Sequence, residues 1–501
     1  MRKFGLLLAL IVSFGLQAQK VTRFSSLDAF SEEFDELITV SKELDGVFKD
    51  SLVPNFLAAV DYEQEDLWLD YANQLLRKRL DDAQTWEPLL RSLIYVAENE
   101  EYDRFGALIK HFYGFSKKNP SSRIRSYQNQ FYRNLVKHEF SEPGALVWKA
   151  PASIWALQFV NGEPEFDLEF VDIVGLNAGD STMVMGVNAV FYPRKGLLKA
   201  QGGTIMWSRA GQLEKEVYAE LGSWSLQVNQ SNFKADSVTL FASEFYEEPL
   251  QGVLEERVSS VNLKDARFPK FTSYSNDYIL ENLYPEVHFK GGLGVAGAQF
   301  YGTASDSALA ALKFTYKSDT VLTLKGRSFL FKDSLLSSKR VEVIAHLGAD
   351  SIYHPYCEMR YDPRMGQVRV IRFETGLGLA SFTDSYHALD MSVDQLVWNQ
   401  GTPVLSFKNL NLGSEQAAVF ESKQYFRVQR MEEIAGLQKN HPLRELRDAA
   451  YAYGYEDMPL KELIYALRMA PEEGEFFLYH MAIQGFVTFD VDAQTISLTD
   501  R

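Results

Sequence analysis

The period of the hydrophobic pattern changes near Trp148, and this change constrains the fold more than any other feature. Over residues 26–147 apolar side chains such as Leu67 and Tyr71 recur at helical spacing. Over residues 148–428 they alternate with polar ones, which is the spacing of strands. Long helical patterns between the strands are largely missing, which favours antiparallel pairing. We therefore expect a multidomain chain: an all-α N-terminal domain, then an all-β antiparallel region, as a sandwich or an elongated β-stack with room for two subdomains.

Helical patterns return over residues 431–501. The segments "HPLRELRDAAYAYG", "MPLKELIYALRM" and "EGEFFLYHMAIQG" are followed by a hairpin pattern, "FVTFDVDAQTISLT". Three helices and a hairpin form the winged-helix order, so we expect a small winged-helix-like α+β module. Its 6 Lys and Arg against 13 Asp and Glu give a charge of −7, which would repel DNA phosphates. A structural or protein-docking role is the prediction.

Length and charge bound the remaining possibilities. At 501 residues the chain is long enough for two to four domains. A net charge of −16 disfavours nucleic acid and anionic membranes as partners. Cations, neutral glycans and other proteins stay open. The one cysteine, Cys357, excludes an internal disulfide.

The first residues predict export. Arg2 and Lys3 precede an apolar run that ends near Leu16, and Ala18 is a small residue at the expected cleavage site before Gln19. We assign residues 1–18 to a signal peptide and expect a periplasmic, cell-envelope or extracellular protein. No cysteine follows the run, so a lipoprotein is not expected. No later segment is long and apolar enough to span a bilayer as a helix.

The stretch "HFKGGLGVAG" contains G-x-G-x-x-G, the spacing of dinucleotide loops. Such a loop must follow a strand and open a helix, but the continuation "AQFYGTASDS" indicates another strand. We expect Gly291, Gly292 and Gly294 to form a turn or bulge where two backbones approach closely, and no nucleotide or other cofactor to bind.

The segment "HLGADSIYHPYCEMRYD" suggests a zinc site. Its candidate ligands are His346, Asp350, His354, Cys357, Glu358 and Asp362. A regular strand would point His354 and Cys357 to opposite faces, which favours a half-buried strand that ends in the "DPRMG" turn.

The segment "TDSYHALD" contains the residue types of a serine hydrolase triad. These are Asp384, Ser385, His387 and Asp390, but they are too close in sequence for the required geometry, and no G-x-S-x-G elbow occurs in the chain. Asp-Ser pairs recur and indicate turn or strand-entry chemistry: they begin at Asp180, Asp236, Asp306, Asp333, Asp350 and Asp384. No catalytic residue is assigned.

The least usual local feature is an acidic ladder in "NGEPEFDLEF". Alternation places Glu163, Glu165, Asp167 and Glu169 on one strand face and Phe166, Leu168 and Phe170 on the other. A solvated face is the simplest interpretation. Two neighbouring carboxylates could also hold calcium or act on a glycan, so the ladder is our only candidate metal site.

Aromatic residues in the β region admit two interpretations. Exposed rings stack on sugars, whereas buried rings fill a core, and the core interpretation is favoured. The tryptophans concerned are Trp148, Trp155, Trp207, Trp224 and Trp398.

Several phrases carry a resemblance: "YPEVHFKGGLGVAGAQFYGTAS", "DSIYHPYCEMRY", "FTDSYHALDM" and "LYHMAIQGFVTFD". From about Leu37 to Arg501 the chain resembles a family of large, exported, functionally uncharacterised proteins of Bacteroidota-type bacteria. Family members have the same helical, β-rich and α-rich order and typically continue further, so the resemblance implies a short member or a missing C-terminal part. It implies no activity or catalytic residue.

Two alternative functions from different classes are considered, and the first is the prediction. The first is a non-enzymatic cell-envelope scaffold that binds protein, lipid or polymer partners through an apolar groove or sheet edge of the β-rich region. The second is a glycan-binding or glycan-cleaving protein that uses acidic and aromatic residues of that region.

Overall fold

The structure is a computed structural model, and it describes most of the chain. The described residues are 21–40, 47–99, 102–141, 144–151, 155–212, 217–243, 246, 248–259, 267–305, 308–332, 335–410, 418–422, 434–435, 441–454, 457–490 and 493–499. The predicted signal peptide lies outside them. The chain divides into two compact units, residues 1–247 with 255–263, and residues 248–254 with 264–501.

The predicted N-terminal helical part is confirmed. Its helices are α1 Leu27–Val40, α2 Val53–Ala59, α3 Glu65–Arg77, α4 Ala83–Asn99, α5 Tyr102–Lys118 and α6 Ser121–Lys137. Their apolar faces meet around fully buried Trp68 and Trp86, whose rings pack edge to face at 6.2 Å. Asp82 accepts a hydrogen bond from the Thr85 backbone N–H at 3.0 Å and so caps the start of α4.

The predicted antiparallel β-rich middle is also confirmed. The first unit contains β1 Leu146–Lys149, β2 Trp155–Val160, β3 Glu163–Asn177, β4 Asp180–Tyr192, β5 Leu197–Gln201, β6 Thr204–Met206, β7 Val217–Glu220, β8 Ser223–Gln227 and β9 Asn232–Ala242. Next along the chain come β10 Leu250–Arg257, β11 Lys270–Ser273, β12 Tyr278–Tyr284, β13 Val287–Ala296, β14 Gln299–Thr303 and β15 Ala310–Tyr316. The second unit continues with β16 Asp319–Gly326, β17 Ser328–Phe331, β18 Leu336–Leu347, β19 Asp350–Asp362, β20 Gln367–Arg372, β21 Phe382–Asp384, β22 Leu389–Ser392, β23 Gln395–Asn399, β24 Leu405–Lys408 and β25 Val419–Ser422.

The C-terminal module has the predicted α+β character. Its elements are α7 Pro442–Ala452, β26 Met458–Pro459, α8 Leu460–Ala466, α9 Pro471–Ile483, β27 Val487–Asp490 and β28 Thr495–Leu498. Strand β28 pairs with both β26 and β27, which closes a three-stranded antiparallel sheet. The order of elements is that of a winged helix. Leu446, Leu463, Leu478 and Ile496 fill its core.

The two units contain the same strand arrangement. Hairpin β3–β4 pairs Phe166 with Phe191 at one end and Asn177 with Asp180 at the other. Hairpin β18–β19 pairs Leu336 with Tyr361 and Leu347 with Asp350, so each partner lies 170 residues further along the chain. We call residues 146–242 repeat A and residues 319–422 repeat B.

The neighbouring strands extend this correspondence. Strands β1 and β2 pair with β3 as β16 and β17 pair with β18. Strands β5 and β6 flank β4 as β20 and β21 flank β19. Strand β8 pairs with β5 and β7 pairs with β6, just as β23 pairs with β20 and β22 pairs with β21. Finally, β9 pairs with β8 and β7, whereas in repeat B these two pairings are made by β24 and β25.

Both hairpins also carry the same two β-bulges. In repeat A two residues, Glu169 and Phe170, oppose one residue of β4; one pair further, Met185 and Gly186 oppose one residue of β3. The register shifts of β18 and β19 fall at the equivalent positions, 339–340 and 355–356. Because a bulge inserts one residue, it reverses the alternation of side chains beyond it.

The bulges overturn two predictions from regular alternation. Phe170 was expected on the core face with Phe166, but its side chain is 81% exposed. His354 and Cys357 were expected on opposite faces, but both are fully buried, because the bulge at 355–356 separates them by one extra residue.

Candidate functional site

An open groove lies in the second unit, between helix α9 and the bulges of repeat B. Its volume is about 1100 Å³. One wall is apolar and is formed by Phe373, Leu377, Leu379, Phe476, Tyr479 and Ile483. The other wall carries charge and is formed by Lys339, Arg340, Glu358 and Arg360. The groove is therefore amphipathic.

The apolar wall exists because α9 is apolar on two sides. Leu478 and Met481 point into the core of the C-terminal module, while Phe476 is 76% exposed at the groove. Tyr356, from the second bulge of repeat B, packs against the module core together with Leu377. An exposed aromatic beside a well-packed cleft is a typical feature of binding surfaces.

Two residues of the charged wall come from the first bulge of repeat B. Lys339 and Arg340 are adjacent in sequence and are both exposed. The Arg340 guanidinium lies 5.5 Å from the centre of the Tyr356 ring, a cation–π contact. Arg360 Nε donates to Glu358 Oε1 at 2.5 Å. Three cations and one carboxylate thus line this wall.

Electrostatics link the two walls at Tyr479. Burial raises the pKa of the Tyr479 hydroxyl, Glu475 and Tyr356 act in the same direction, and Arg340 acts against them. Arg340 on the strand side is thus close enough to Tyr479 on the helix side to influence its pKa.

The acidic ladder does not converge on one point. Glu163 forms an ion pair with Arg194, and its neighbours there include His111. Asp167 instead accepts a hydrogen bond from Gln158 Nε2 on β2. The two ends of the ladder thus belong to different surroundings.

The middle and far end of the ladder face an open surface. Asp167 and Glu169 line a shallow depression of about 840 Å³ together with Asn188 and Lys199. Burial, then Glu165 and Asp167, raise the pKa of the Tyr192 hydroxyl. This face mixes carboxylates, an amide and an ammonium group.

His354 and Cys357 form a buried hydrogen-bonded pair at the centre of the predicted zinc segment. Cys357 Sγ is 3.1 Å from His354 Nδ1, and His354 Nε2 donates to Ala380 O at 2.8 Å. Burial lowers the pKa of His354 to about 3 and raises the pKa of Cys357. Both groups are neutral at pH 7, so this is not a thiolate–imidazolium pair.

The other predicted zinc candidates have separate roles. His346 Nε2 is 2.9 Å from Thr323 Oγ1, and Asp350 accepts from Ser385 Oγ at 2.9 Å. Asp362 accepts from the Arg364 backbone N–H within the "DPRMG" turn. Among the described residues, no group of three or more His, Cys, Asp and Glu is arranged as metal ligands.

The residues of "TDSYHALD" lie at the turn between β21 and β22, with Asp384 ending β21, Ser385 and His387 in the turn, and Asp390 in β22. Asp384 accepts from the backbone N–H groups of Tyr386 and His387 and lies 2.7 Å from His387 Nδ1. Ser385 Oγ is directed to Asp350, and Asp390 accepts from Thr383 Oγ1. Asp384 stabilises a turn, as the Asp-Ser interpretation predicts. Asp180 and Asp350 both follow hairpin turns and begin strands, which agrees with strand entry, whereas Asp236 lies within β9. The pairs at 306 and 333 lie outside the described residues.

The glycines of "HFKGGLGVAG" lie within a strand. Gly291, Gly292 and Gly294 belong to β13, and the turn follows at Gly297, whose φ is +55°. The prediction of a turn or bulge at the first glycines is wrong. The prediction of close approach is confirmed, because a Cβ at Gly294 would lie 2.8 Å from Phe271 O. A strand, β14, follows the glycines where a dinucleotide loop requires a helix.

The tryptophans of the β region belong to the core, as predicted. Trp148, Trp155, Trp207 and Trp398 are at most 2% exposed, and Trp224 is 5% exposed. Trp224, the most exposed of the five, also lines the depression beside Asp167 and Glu169.

Sequence reasoning missed a buried ion pair in the first unit. Glu256 is completely buried, and its Oε1 lies 2.7 Å from Arg209 Nη2. Burial raises the pKa of Glu256 to about 7, although Arg209 acts to lower it. Asp180 shares Arg209 and accepts from the Ser259 backbone N–H at 2.7 Å. Glu256, Arg209 and Asp180 are far apart in sequence, so no local motif predicts their contact.

Sequence reasoning also missed the groove and the duplication that frames it. The available signal was the pair "VDIVGLNAGDS" and "VEVIAHLGADS", followed by "PRKG" and "PRMG" at the same spacing of 170 residues.

No family model matches the chain, and no curated protein or solved structure is significantly similar to it. Helices in the described residues are all too short or too polar to cross a membrane.

Proposed function

We propose that the chain is a non-enzymatic scaffold of the cell envelope that binds a partner protein in the groove beside α9. The observation that carries the proposal is the pairing of an apolar wall containing exposed Phe476 with a wall containing Lys339, Arg340 and Arg360. An amphipathic segment with one apolar and one acidic face is complementary to both walls. The envelope location depends on the predicted signal peptide.

Charge supports an acidic partner segment over a basic one. Glu358 is held by Arg360, while Lys339 and Arg340 are exposed beside it. Complementary charge sets partner choice and association rate more than affinity, and the buried aromatic contacts supply most of the binding energy.

A selection from random peptides tests the proposal. Short peptides displayed on phage are selected on the mature chain, and the affinity of the enriched sequences is measured by fluorescence anisotropy. We expect acidic amphipathic sequences whose affinity falls about tenfold or more with Phe476→Ser. Lys339→Glu should weaken acidic peptides and favour charge-reversed ones. Basic sequences whose affinity depends on Phe476, or enriched peptides that are all indifferent to both variants, would refute the proposal.

Glycan binding is the second candidate, and the depression beside Asp167 and Glu169 favours it. Carboxylates, amides and hydroxyls on an open face suit hydrogen bonding to sugar hydroxyls. A glycan array probed with the chain and with the Glu165→Ala, Asp167→Ala double variant decides the matter. Signals that persist in the variant count against this candidate.

A further inference from the structure

The bulge residues of repeat B contact the C-terminal module. Tyr356 packs on the core of the C-terminal module. Burial raises the pKa of Tyr353, and Glu342 and the module's Asp490 act in the same direction. A cleft of about 610 Å³ is lined by Arg340 and Tyr353 on the strand side and by residues of β27 and β28 on the other. The bulge surface of repeat B therefore carries a folded module.

The equivalent surface of repeat A is exposed. With the 170-residue correspondence, Arg340 and Tyr353 align with Phe170 and Met183. Phe170 is 81% exposed and Met183 is 45% exposed. Tyr356 aligns with Gly186, and the Phe170 ring lies over that glycine, 3.1 Å from the position of a Cβ. We call Phe170, Met183, Met185 and Gly186 the repeat A patch.

The exposure of Phe170 is built into the hairpin. Its φ of +49° is unfavourable for a bulky side chain, and Gly186, which its ring covers, has φ +67°. The Phe170 backbone N–H donates to Asn188 Oδ1 at 2.9 Å, and the Gly186 backbone N–H donates to Asp172 Oδ1 at 3.0 Å. Two side chains therefore hold a strained backbone that displays an aromatic ring to solvent, a combination that recurs at ligand-binding sites.

The charged residues around the bulges differ between the two repeats, which predicts partners of different charge. In repeat B, Lys339, Arg340 and Arg360 lie near a C-terminal module whose charge is −7. In repeat A the position of Lys339 is taken by Glu169, and Asp172 is exposed nearby. The acidic C-terminal module of a second copy would be repelled here.

We propose that the repeat A patch docks a partner protein that presents an apolar side chain surrounded by Lys and Arg. The patch would then do for a separate protein what the bulge of repeat B does for the C-terminal module. This second site is distinct from the groove beside α9, and either can fail alone.

The test uses the same peptide selection, sorted by a different variant. Enriched peptides are measured against the mature chain, Phe170→Ser and Phe476→Ser, with Phe170→Tyr as the conservative variant. We expect a class rich in Lys, Arg and aromatic residues that loses about tenfold or more in affinity with Phe170→Ser, keeps it with Phe476→Ser and with Phe170→Tyr, and weakens as salt is raised. Met183→Ser, on a separate strand, should give a smaller loss for the same peptides.

Three outcomes would overturn the proposal. The selection yields no peptide whose affinity depends on Phe170, the dependent peptides are acidic, or the Phe170→Ser variant instead loses a neutral oligosaccharide on a glycan array. The last result would make Phe170 a sugar platform. Equal losses with Phe476→Ser would merge this class with the groove ligands and remove the case for a second site.

Discussion

Repeats A and B have the same ladder of strand pairs, yet they place different side chains at their two bulges. At the first bulge, repeat A places Phe170 and repeat B places Arg340; at the second, repeat A places Gly186 and repeat B places Tyr356. Each repeat thus has one aromatic ring at its bulges, on the first strand of the hairpin in repeat A and on the second strand in repeat B. The two repeats thus share their backbone register while the side chains at the bulges differ.

The largest expected difference concerns the interior of the hairpins. His354 in repeat B occupies the position of Val184 in repeat A, and both are fully buried. His354→Ala removes a ring and the hydrogen bonds to Ala380 O and Cys357, so we expect a loss of about 4 kcal/mol in the free energy of unfolding. Val184→Ala should cost about 2 kcal/mol. Chemical denaturation measures both, and equal losses would show that the histidine contributes only volume.

The second difference concerns a buried carboxyl of the first unit and its effect on stability as pH changes. The pKa of Glu256 is raised from 4.5 to about 7, so the folded state binds the extra proton between these values. Stability contributed by this group is present at low pH and is lost as pH rises through that window, by about 3 kcal/mol in all.

Glu256→Gln holds the group neutral and isolates this effect. Relative to the wild type, its free energy of unfolding should rise between pH 4.5 and 8. A flat profile for Glu256→Gln would mean that Arg209 keeps Glu256 ionised.

The third difference is a compensated pair. Gly175 faces Trp148 in repeat A, where Ala345 faces Leu322 in repeat B. A Cβ at Gly175 would lie 2.5 Å from the Trp148 ring, so Gly175→Ala should cost about 2 kcal/mol. Adding Trp148→Leu should make the double variant more stable than the sum of the single losses implies. Strict additivity would argue against the match between the repeats at this site.

The smallest effect is a gain. Phe170→Gly relieves the left-handed backbone at φ +49° and should stabilise the chain by about 1 kcal/mol, while abolishing binding at the repeat A patch. Arg340→Gly, at the equivalent position, should slightly destabilise it by losing the contact with Tyr356. A stability loss with Phe170→Gly would indicate that the ring stabilises the fold through Gly186.

The sequence predicted the architecture well because periodicity is a local signal. The change of period near Trp148 and the helical return before the C-terminus gave the helical, antiparallel and α+β parts in the correct order. The bulges were not predictable in this way, because one added residue leaves the composition unchanged while reversing which side chains are buried. Phe170 and His354 were therefore placed on the wrong faces.

The groove is a different kind of failure. It depends on α9 meeting a bulge more than a hundred residues earlier in the chain, and no local pattern encodes that contact. The acidic ladder was a candidate site because of its charge. In the structure Glu163 pairs with Arg194 and Asp167 with Gln158, so its carboxylates have different partners. Comparison of the chain with itself at a spacing of 170 residues would have identified the hairpins that frame both sites.

The interruption that divides the last strand of repeat B has a practical consequence. Repeat A completes its sheet with the single strand β9, whereas repeat B uses β24 and β25 with residues 409–418 between them. The two pairings that β9 makes in repeat A are thus divided between two strands in repeat B. Because the chain between β24 and β25 is extra relative to repeat A, we expect this segment to accept a reporter peptide or affinity tag that labels the second unit.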